Sequence, residues 1–502
     1  MIISKTIFLD YIFCPKNTWL KLHKKELYDQ FTPSAFELNL MEQGNIVESY
    51  ARNLFPGGIE VVETGERAVE ETTRFMTAKA PAIFQATFIV DGYIARNDAL
   101  VWDPQNNCWD LYEIKGTNSL KESGSDHNHI DDLTFQASVL KRAGISVGRY
   151  FLVHLNKDYV RMGAIDIKSL FTVEDQTETV LMGLLLVEEQ MKTAKEYLTS
   201  DKEPAGGCEC VYNGRSKHCT TFKYSNPEVP DYSIHDISRI GTSKKKLEAL
   251  VESRIFDIAD IPEDMEFSDV QMNQIISYRK QKSMIDIDGI NGELDGLEFP
   301  LYFFDYETYA PAIPIFDGYR PYQRIPFQFS LHILRNPDDE GEEMEHIEYL
   351  HEELSDPSPH VANLLEKHIG DKGSVITWNK SFEAGVNKEL ALRLPEHKAT
   401  IDRVNGLLYD LMDVFKKQHY VHPEFKGSTS IKKVLPALVP ELSYKELGIK
   451  EGGQASNSWW EMLSPGTHPD ISTQISKDLK IYCGLDTYAM YAIWAHLYKM
   501  IK

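Results

Sequence analysis

Asp98, Glu113 and Lys115 are residue types that together can act on a phosphate ester. Two carboxylates can share one divalent cation, and a lysine ammonium can position or deprotonate a water and offset charge building on the phosphate. Their spacing suits that chemistry. Between Phe88 and Lys115 the sequence reads as a meander with turns at Asp91-Gly92 and from Asp103-Pro104 to Asn107. Tyr93–Trp102 and Trp109–Lys115 are then antiparallel strands. If Trp102 pairs with Trp109, Asp98 falls opposite Glu113, roughly 5 Å away. Glu113 and Lys115, two positions apart on one strand, project to the same side.

A second pair of carboxylates ends the apolar run Leu301-Tyr302-Phe303-Phe304, where Asp305 and Glu307 face one way at i and i+2. The cysteines form a third group. Cys14 precedes the Asp98–Lys115 block, and Cys208, Cys210 and Cys219 follow it. Four thiolates can hold a [4Fe-4S] cluster or a zinc ion, although zinc sites usually draw on paired C-x(2-4)-C knuckles and Cys14 has no neighbour. Cys108 and Cys483 read as packed side chains.

Asp98 with Glu113-Ile114-Lys115, followed by Gln136, resembles the RecB-type branch of the PD-(D/E)xK nucleases over about the first 220 residues. That resemblance implies a restriction-endonuclease-like fold and Mg2+ or Mn2+ at Asp98 and Glu113. It further implies a ligand at Glu48 from a preceding helix, Lys115 acting on the nucleophile and Gln136 positioning the phosphate. The flanking cysteines are similar to those of iron-sulfur RecB-type nucleases, implying a [4Fe-4S] cluster, with zinc as the alternative, that ties the two ends of the domain together. Leu301–Thr308 resembles the opening motif of the DnaQ-like DEDD exonucleases, which have an RNase H-like fold. The later motifs of that family match Trp378-Asn379-Lys380-Ser381-Phe382-Glu383 and Tyr482-Cys483-Gly484-Leu485-Asp486. By this resemblance Asp305, Glu307, Glu383 and Asp486 bind two metal ions and Tyr482 orients the attacking water. Glu383 stands where most such enzymes carry aspartate. Phe425-Lys426-Gly427-Ser428, Ser430–Pro436 and Gly452–Ser456 extend the likeness to an uncharacterised bacterial family in which a RecB-type nuclease is fused to this C-terminal domain.

These groups need an α/β framework of more than one domain, as 502 residues also require. The expected division is a PD-(D/E)xK domain at 1–228 with its four-cysteine group, a small helical spacer at 229–297, and a DEDD-like domain at 298–502. In the last, the alternating Phe327, Phe329, Leu331 and Ile333 mark a strand, and a long helix runs from about Ser476. The 42% hydrophobic and 26% charged content is that of a folded chain. No run suits a membrane span and no signal peptide is read, so a cytoplasmic location is expected. The net charge of −23 opposes long-range attraction of nucleic acid, leaving short basic clusters (Lys21 to Lys25, Lys244 to Lys246, Arg279 to Lys282) to line a channel. Tyr319, Tyr322 and Arg324 are the compact aromatic and basic candidates for gripping a single strand. The expected activity is metal-dependent cleavage of DNA, as an exonuclease, at two sites in repair, recombination or phage defence. RNA processing by the C-terminal domain and a single active site beside a binding module are the alternatives. With no G-x-x-x-x-G-K-(S/T) loop, ATP-driven unwinding falls to a separate helicase.

Overall fold

Strands form in the first part of the chain where β-branched and aromatic residues run between turn formers. The computed structural model, which describes residues 1–28, 33–120, 128–337 and 344–502, contains there β1 (Ile3–Ser4), β2 (Ile59–Glu60), β3 (Ala82–Val90), β4 (Tyr93–Asp103), β5 (Cys108–Lys115), β6 (Val147–Leu155) and β7 (Phe171–Asp175). They make one sheet in the order β2-β3-β4-β5-β6-β7, with β1 pairing on β4. Asp91 and Gly92 both take positive φ, 50° and 77°, which matches the right-handed twist of the β3–β4 hairpin. The next turn is closed by Asp103, whose carboxylate accepts from the Gln105 amide at 2.9 Å. The expected register is present: Trp102 pairs with Trp109 and Ala99 with Tyr112. Helix His129–Arg142 connects β5 to β6, which run parallel. Its Leu133, Phe135, Ala137 and Leu140 join the core formed with β3, β4 and helix Thr177–Leu198.

Two compact units result. The first comprises Met1–Val211, Lys217–Pro227 and Pro311–Gln323; the second comprises Tyr212–Ser216, Glu228–Ala310 and Arg324–Lys502. The 229–297 stretch expected as a spacer forms helices Lys244–Glu252, Asp269–Lys280 and Ile287–Leu294 and falls within the second unit. Among the described residues, no helix is long and apolar enough to cross a membrane.

The second unit holds β8 (Met284–Ile285), β9 (Leu301–Tyr309), β10 (Ile325–Leu334), β11 (Glu345–Leu350), β12 (Ser374–Thr377), β13 (Leu408–Asp410) and β14 (Tyr420–Val421). Its main sheet runs β11-β10-β9-β12-β13, while β14 and β8 pair separately. The β10 strand is antiparallel to both neighbours, whereas β9, β12 and β13 are mutually parallel. The alternating Phe327, Phe329, Leu331 and Ile333 lie on β10 as expected, and every residue of the strand is buried. The C-terminal helix Pro469–Ile501 covers the face carrying Gln328, Ser330 and His332. Gln328 donates to the Leu479 carbonyl at 2.9 Å, and Ser330 and His332 both meet Thr487 Oγ1.

Helix Gly452–Leu463 packs beside the strand that carries Asp305 and Glu307, with Trp459 as its anchor. Trp459 stacks on Phe327 at 4.6 Å between centroids and donates its indole N–H to the His351 carbonyl at 2.7 Å. Truncation would open a cavity and orphan a carbonyl. Trp459→Ala is therefore expected to destabilise the second unit by about 3–5 kcal/mol, read as an earlier transition in urea unfolding followed by tryptophan fluorescence.

Candidate functional site

In the second unit the strand period brings Asp305 and Glu307 to one side of β9, while Tyr306 turns away and donates to Asn387 Oδ1 at 2.8 Å. Asp486 approaches from the C-terminal helix. Ligand atoms of Asp305, Glu307 and Asp486 lie within 4.8 Å of one another, a separation suited to carboxylates that share a cation. Glu383, in the first turn of helix Lys380–Arg393, lines the same cleft of about 260 Å³ with Tyr482, Phe382, Trp378, Lys432 and Gly452. Glu383 is 2% exposed, and its Oε2 has no hydrogen-bond partner among the described residues.

Electrostatics set this cleft apart. Burial and the charges of Asp486, Glu307 and Glu383 hold Asp305 far above the usual carboxylate range. Burial and Asp486 do the same to Glu307, with Lys432 opposing. Glu383 is pushed up to about 8 by burial, with Asp410 adding to it. Asp486 rises only to about 6, because hydrogen bonds from Tyr444 and Tyr482 and the charge of Lys432 offset its burial. The cleft thus holds more negative charge than it can comfortably ionise, a condition that bound cations relieve.

Two contributors escape sequence reasoning. Tyr444, from the loop before helix Gly452–Leu463, donates to Asp486 Oδ1 at 2.6 Å. Lys432 is the single cation among the described residues lining the cleft. Its Nζ stands 5.6 Å and 5.8 Å from the ring centroids of Tyr482 and Tyr444. The segments Ser430–Pro436 and Gly452–Ser456 drew attention by resemblance alone, and the fold makes both of them walls of this cleft. Asp410, by contrast, braces a turn, accepting from the Met412 amide and Lys416.

The first unit solves its charge differently. Glu113 is 1% exposed and fully engaged: Oε1 accepts from Lys5 at 2.5 Å and from Lys115 at 2.8 Å, and Oε2 from Gln136 at 2.6 Å. Burial would raise Glu113, but Lys115 and Lys5 hold it well below the ordinary range. Asp132 completes the group, bonding Lys115 and taking the Gln136 amide at 2.8 Å. Gln136 is therefore spent on orienting carboxylates, its own oxygen accepting from Asn97 at 2.7 Å. Asp98 Oδ2 accepts from the Ile114 amide at 2.8 Å. Burial first, then Glu113, raises Asp98. Glu48 stands with Arg52 and Gln85. Among the described residues Glu48, Asp98 and Glu113 do not form a set with ligand atoms within 4.8 Å, whereas three other sets do. Gln85 reaches Glu48 from a left-handed backbone, φ 56°, in mid-strand opposite Asp98, a local strain of the kind found at functional sites. Lys5 and Asp132 carry no motif that could have singled them out.

The third constellation is brought together: Cys14, Cys208, Cys210 and Cys219, all buried, have sulfurs within 4.8 Å of one another, and Cys208 and Cys219 are 3.7 Å apart. Contacts with Cys14, Cys210 and Cys219 pull the Cys208 thiol far down. A further set, Asp103, Cys108 and Asp110, is taken up otherwise, since Asp103 closes its turn and Asp110 binds the Arg149 guanidinium at 2.7 Å. Of the strand-gripping candidates, Tyr319 is a core residue at 1% exposure, Tyr322 donates to the Gly116 carbonyl, and Arg324 lies over the Phe382 ring at 5.0 Å.

A family described only as a domain of unknown function, DUF2779, matches residues 302–430. Uncharacterized protein UU173 of Ureaplasma parvum is 31% identical over 221 residues, 40% of this chain and 31% of that protein. Uncharacterized protein MG366 of Mycoplasma genitalium is 26% identical over 215 residues, 40% and 32% of the two chains. The chain thus spans about a third of the length of these curated relatives. No solved structure matches it.

A carboxyl group whose folded pKa is raised stabilises the fold only while protonated, so its contribution is present at low pH and lost as pH climbs through the folded value. For Glu383 and Asp486 that window runs from the ordinary carboxylate range to about 8 and about 6. In EDTA the melting temperature of the second unit should fall between pH 5 and pH 8, and Mn2+ should raise it most at pH 8. Glu383→Gln should flatten the EDTA profile in differential scanning fluorimetry.

Proposed function

We propose that this chain is a metal-dependent nuclease with two phosphodiester-cleaving sites. The observation that carries the reading is the acid cleft, where Asp305, Glu307 and Asp486 converge within 4.8 Å beside Tyr482 and a buried Glu383 whose Oε2 has no partner among the described residues. The sheet order β11-β10-β9-β12-β13 with only β10 reversed supports an RNase H-like framework. The β3-β4-β5 meander, the helix His129–Arg142 and the parallel β6 support a PD-(D/E)xK framework for the first unit.

The cleft residues suit two divalent cations, Mg2+ or Mn2+: four carboxylates surround them, and one of those has a free buried oxygen. Such ions supply Lewis acidity and a hydroxide-like nucleophile at neutral pH. Asp305, Glu307, Glu383 and Asp486 would hold them. Tyr482 would orient the incoming water. Tyr444 fixes the rotamer of Asp486. Lys432 would face the phosphate: four carboxylates and two divalent ions would cancel, so its positive charge would answer the single negative charge of the phosphodiester. In the first unit Asp98 and Glu113, assisted by Glu48, would hold a cation once Lys5 gives up Glu113. Lys115 serves the nucleophile, while Gln136 keeps Glu113 in place. The substrate is DNA with accessible ends, in repair, recombination or phage defence, with unwinding supplied by a separate helicase.

A single-site reading is favoured by one specific contrast. Glu113 is already neutralised by two lysines, whereas the acid cleft is not, so the second unit can cut while the first binds the strand. One set of reactions separates these readings: end-labelled single- and double-stranded DNA and RNA with Mg2+ or Mn2+, using wild type, Lys115→Ala, Asp305→Ala and the double variant. Asp305→Ala should lower cleavage by about a thousandfold where the second site dominates, and the double variant should cut nothing. Lys432→Met should raise KM about tenfold with a smaller change in kcat. Wild type that cuts no substrate, or a double variant as active as wild type, rejects the proposal. Lys115→Ala with unchanged cleavage of every substrate selects the single-site form.

A further inference from the structure

Four thiols buried together can serve a polynuclear cluster or one ion, and the distances between sulfurs tell these apart. Around a single tetrahedral zinc with Zn–S bonds of about 2.3 Å, simple geometry puts the sulfurs about 3.8 Å apart. In a [4Fe-4S] cluster each thiolate caps a different iron, so each sulfur–sulfur edge is that of the single-ion tetrahedron lengthened by an iron–iron edge. Here Cys208 and Cys219 are 3.7 Å apart, and no pair among the four exceeds 4.8 Å. The widest spacing therefore leaves about 1 Å for a metal–metal edge beyond the single-ion value, closer than two metal atoms can approach. The cube implied by resemblance does not fit these sulfurs, whereas one ion does.

The surroundings form a built site. Asn226, 2% exposed, donates its amide to Cys208 Sγ at 3.2 Å. Lys16, 8% exposed, donates to the Gly206 carbonyl beside Cys208. Four thiolates around one divalent ion carry a net charge of −2, and the Asn226 amide donates to one of these sulfurs. Helix Pro15–His23, which begins just after Cys14, is stitched to the later cysteine segment by contacts of its own. Asn17 Oδ1 accepts from the amide and hydroxyl of Thr221, at 3.1 Å and 2.8 Å, and the Trp19 indole donates to the Ser200 carbonyl at 2.8 Å.

We propose that Cys14, Cys208, Cys210 and Cys219 bind one zinc ion in a closed tetrahedral site. The reaction is Zn2+ plus four thiols giving the tetrathiolate complex and four protons, so loading weakens as pH falls. With all four positions filled by protein, the site has no opening for substrate and no electron to exchange. It closes a loop of nearly two hundred residues, and its work is to hold the first unit together. This inference does not depend on either carboxylate site being catalytic.

Metal analysis of the full-length protein, purified under nitrogen from cells supplied with both iron and zinc, tests it. The expected result is about one zinc per chain, no acid-labile sulfide and no visible colour. Cobalt substitution should give the intense red-region bands of tetrahedral thiolate Co2+. Cys14→Ser should lose zinc, whereas Cys108→Ser should keep it. If Cys14→Ser does not fold, the wild-type zinc content and cobalt spectrum decide alone. A brown protein with iron and sulfide, a single iron without sulfide, wild type free of metal, or Cys14→Ser that folds and retains full zinc would each overturn the proposal.

Discussion

Burial of negative charge is the constraint on which the second unit depends. Asp305, Glu307, Glu383 and Asp486 converge in one cleft with a single lysine among its lining residues, and like charges held close cannot all ionise without compensation. Apolar residues of similar size would stabilise this position better. The surrounding structure is nonetheless organised to keep the carboxylates in place. The β9 strand fixes two of them, the C-terminal helix lies over the same sheet face and brings Asp486, and Tyr444 clamps Asp486 at 2.6 Å. Perturbed carboxylates gathered in a cleft mark a candidate functional site.

The first unit uses the same residue types toward a balanced result. Lys5 and Lys115 converge on Glu113 and Asp132, so two ammonium groups meet two carboxylates before any ligand arrives. A cation entering there must displace Lys5 or take Asp98, whose carboxyl is raised by burial first and then by Glu113 and Glu48. The two sites thus sit at opposite ends of one electrostatic scale, one short of positive charge and the other supplied with it by the chain.

What the sequence made legible follows from range. The Asp91-Gly92 turn, the pairing of Trp102 with Trp109 and the common face of Asp305 and Glu307 depend on local geometry, so strand period and turn chemistry suffice to read them. Motif order along the chain brought Glu383, Tyr482 and Asp486 to the same cleft. Lys5 and Asp132 were not legible because their role arises from distant pairing: Lys5 and Glu113 are 108 positions apart. Tyr444 lies in a loop with no period to betray it. The burial of Gln328, Ser330 and His332 on β10 was not legible for a similar reason, since alternation cannot register a helix that returns from about 150 residues later to cover Gln328. The order of the cysteines pointed to one group, with a [4Fe-4S] cluster expected and zinc as the alternative, but sulfur–sulfur distances, not sequence intervals, separate one ion from a cube.

Glu383 shows how a departure from a motif is absorbed. An aspartate at this turn of helix Lys380–Arg393 would end one methylene short; the glutamate instead reaches into the cleft while Asp305, Glu307 and Asp486 keep their own close grouping without it. One carboxylate oxygen is held at its own backbone amide and the other is left unpaired. Under the two-cation proposal, the three clustered carboxylates would serve one position and the unpaired oxygen of Glu383 a second, so the added methylene would bear on one position without disturbing the grouping of the other three.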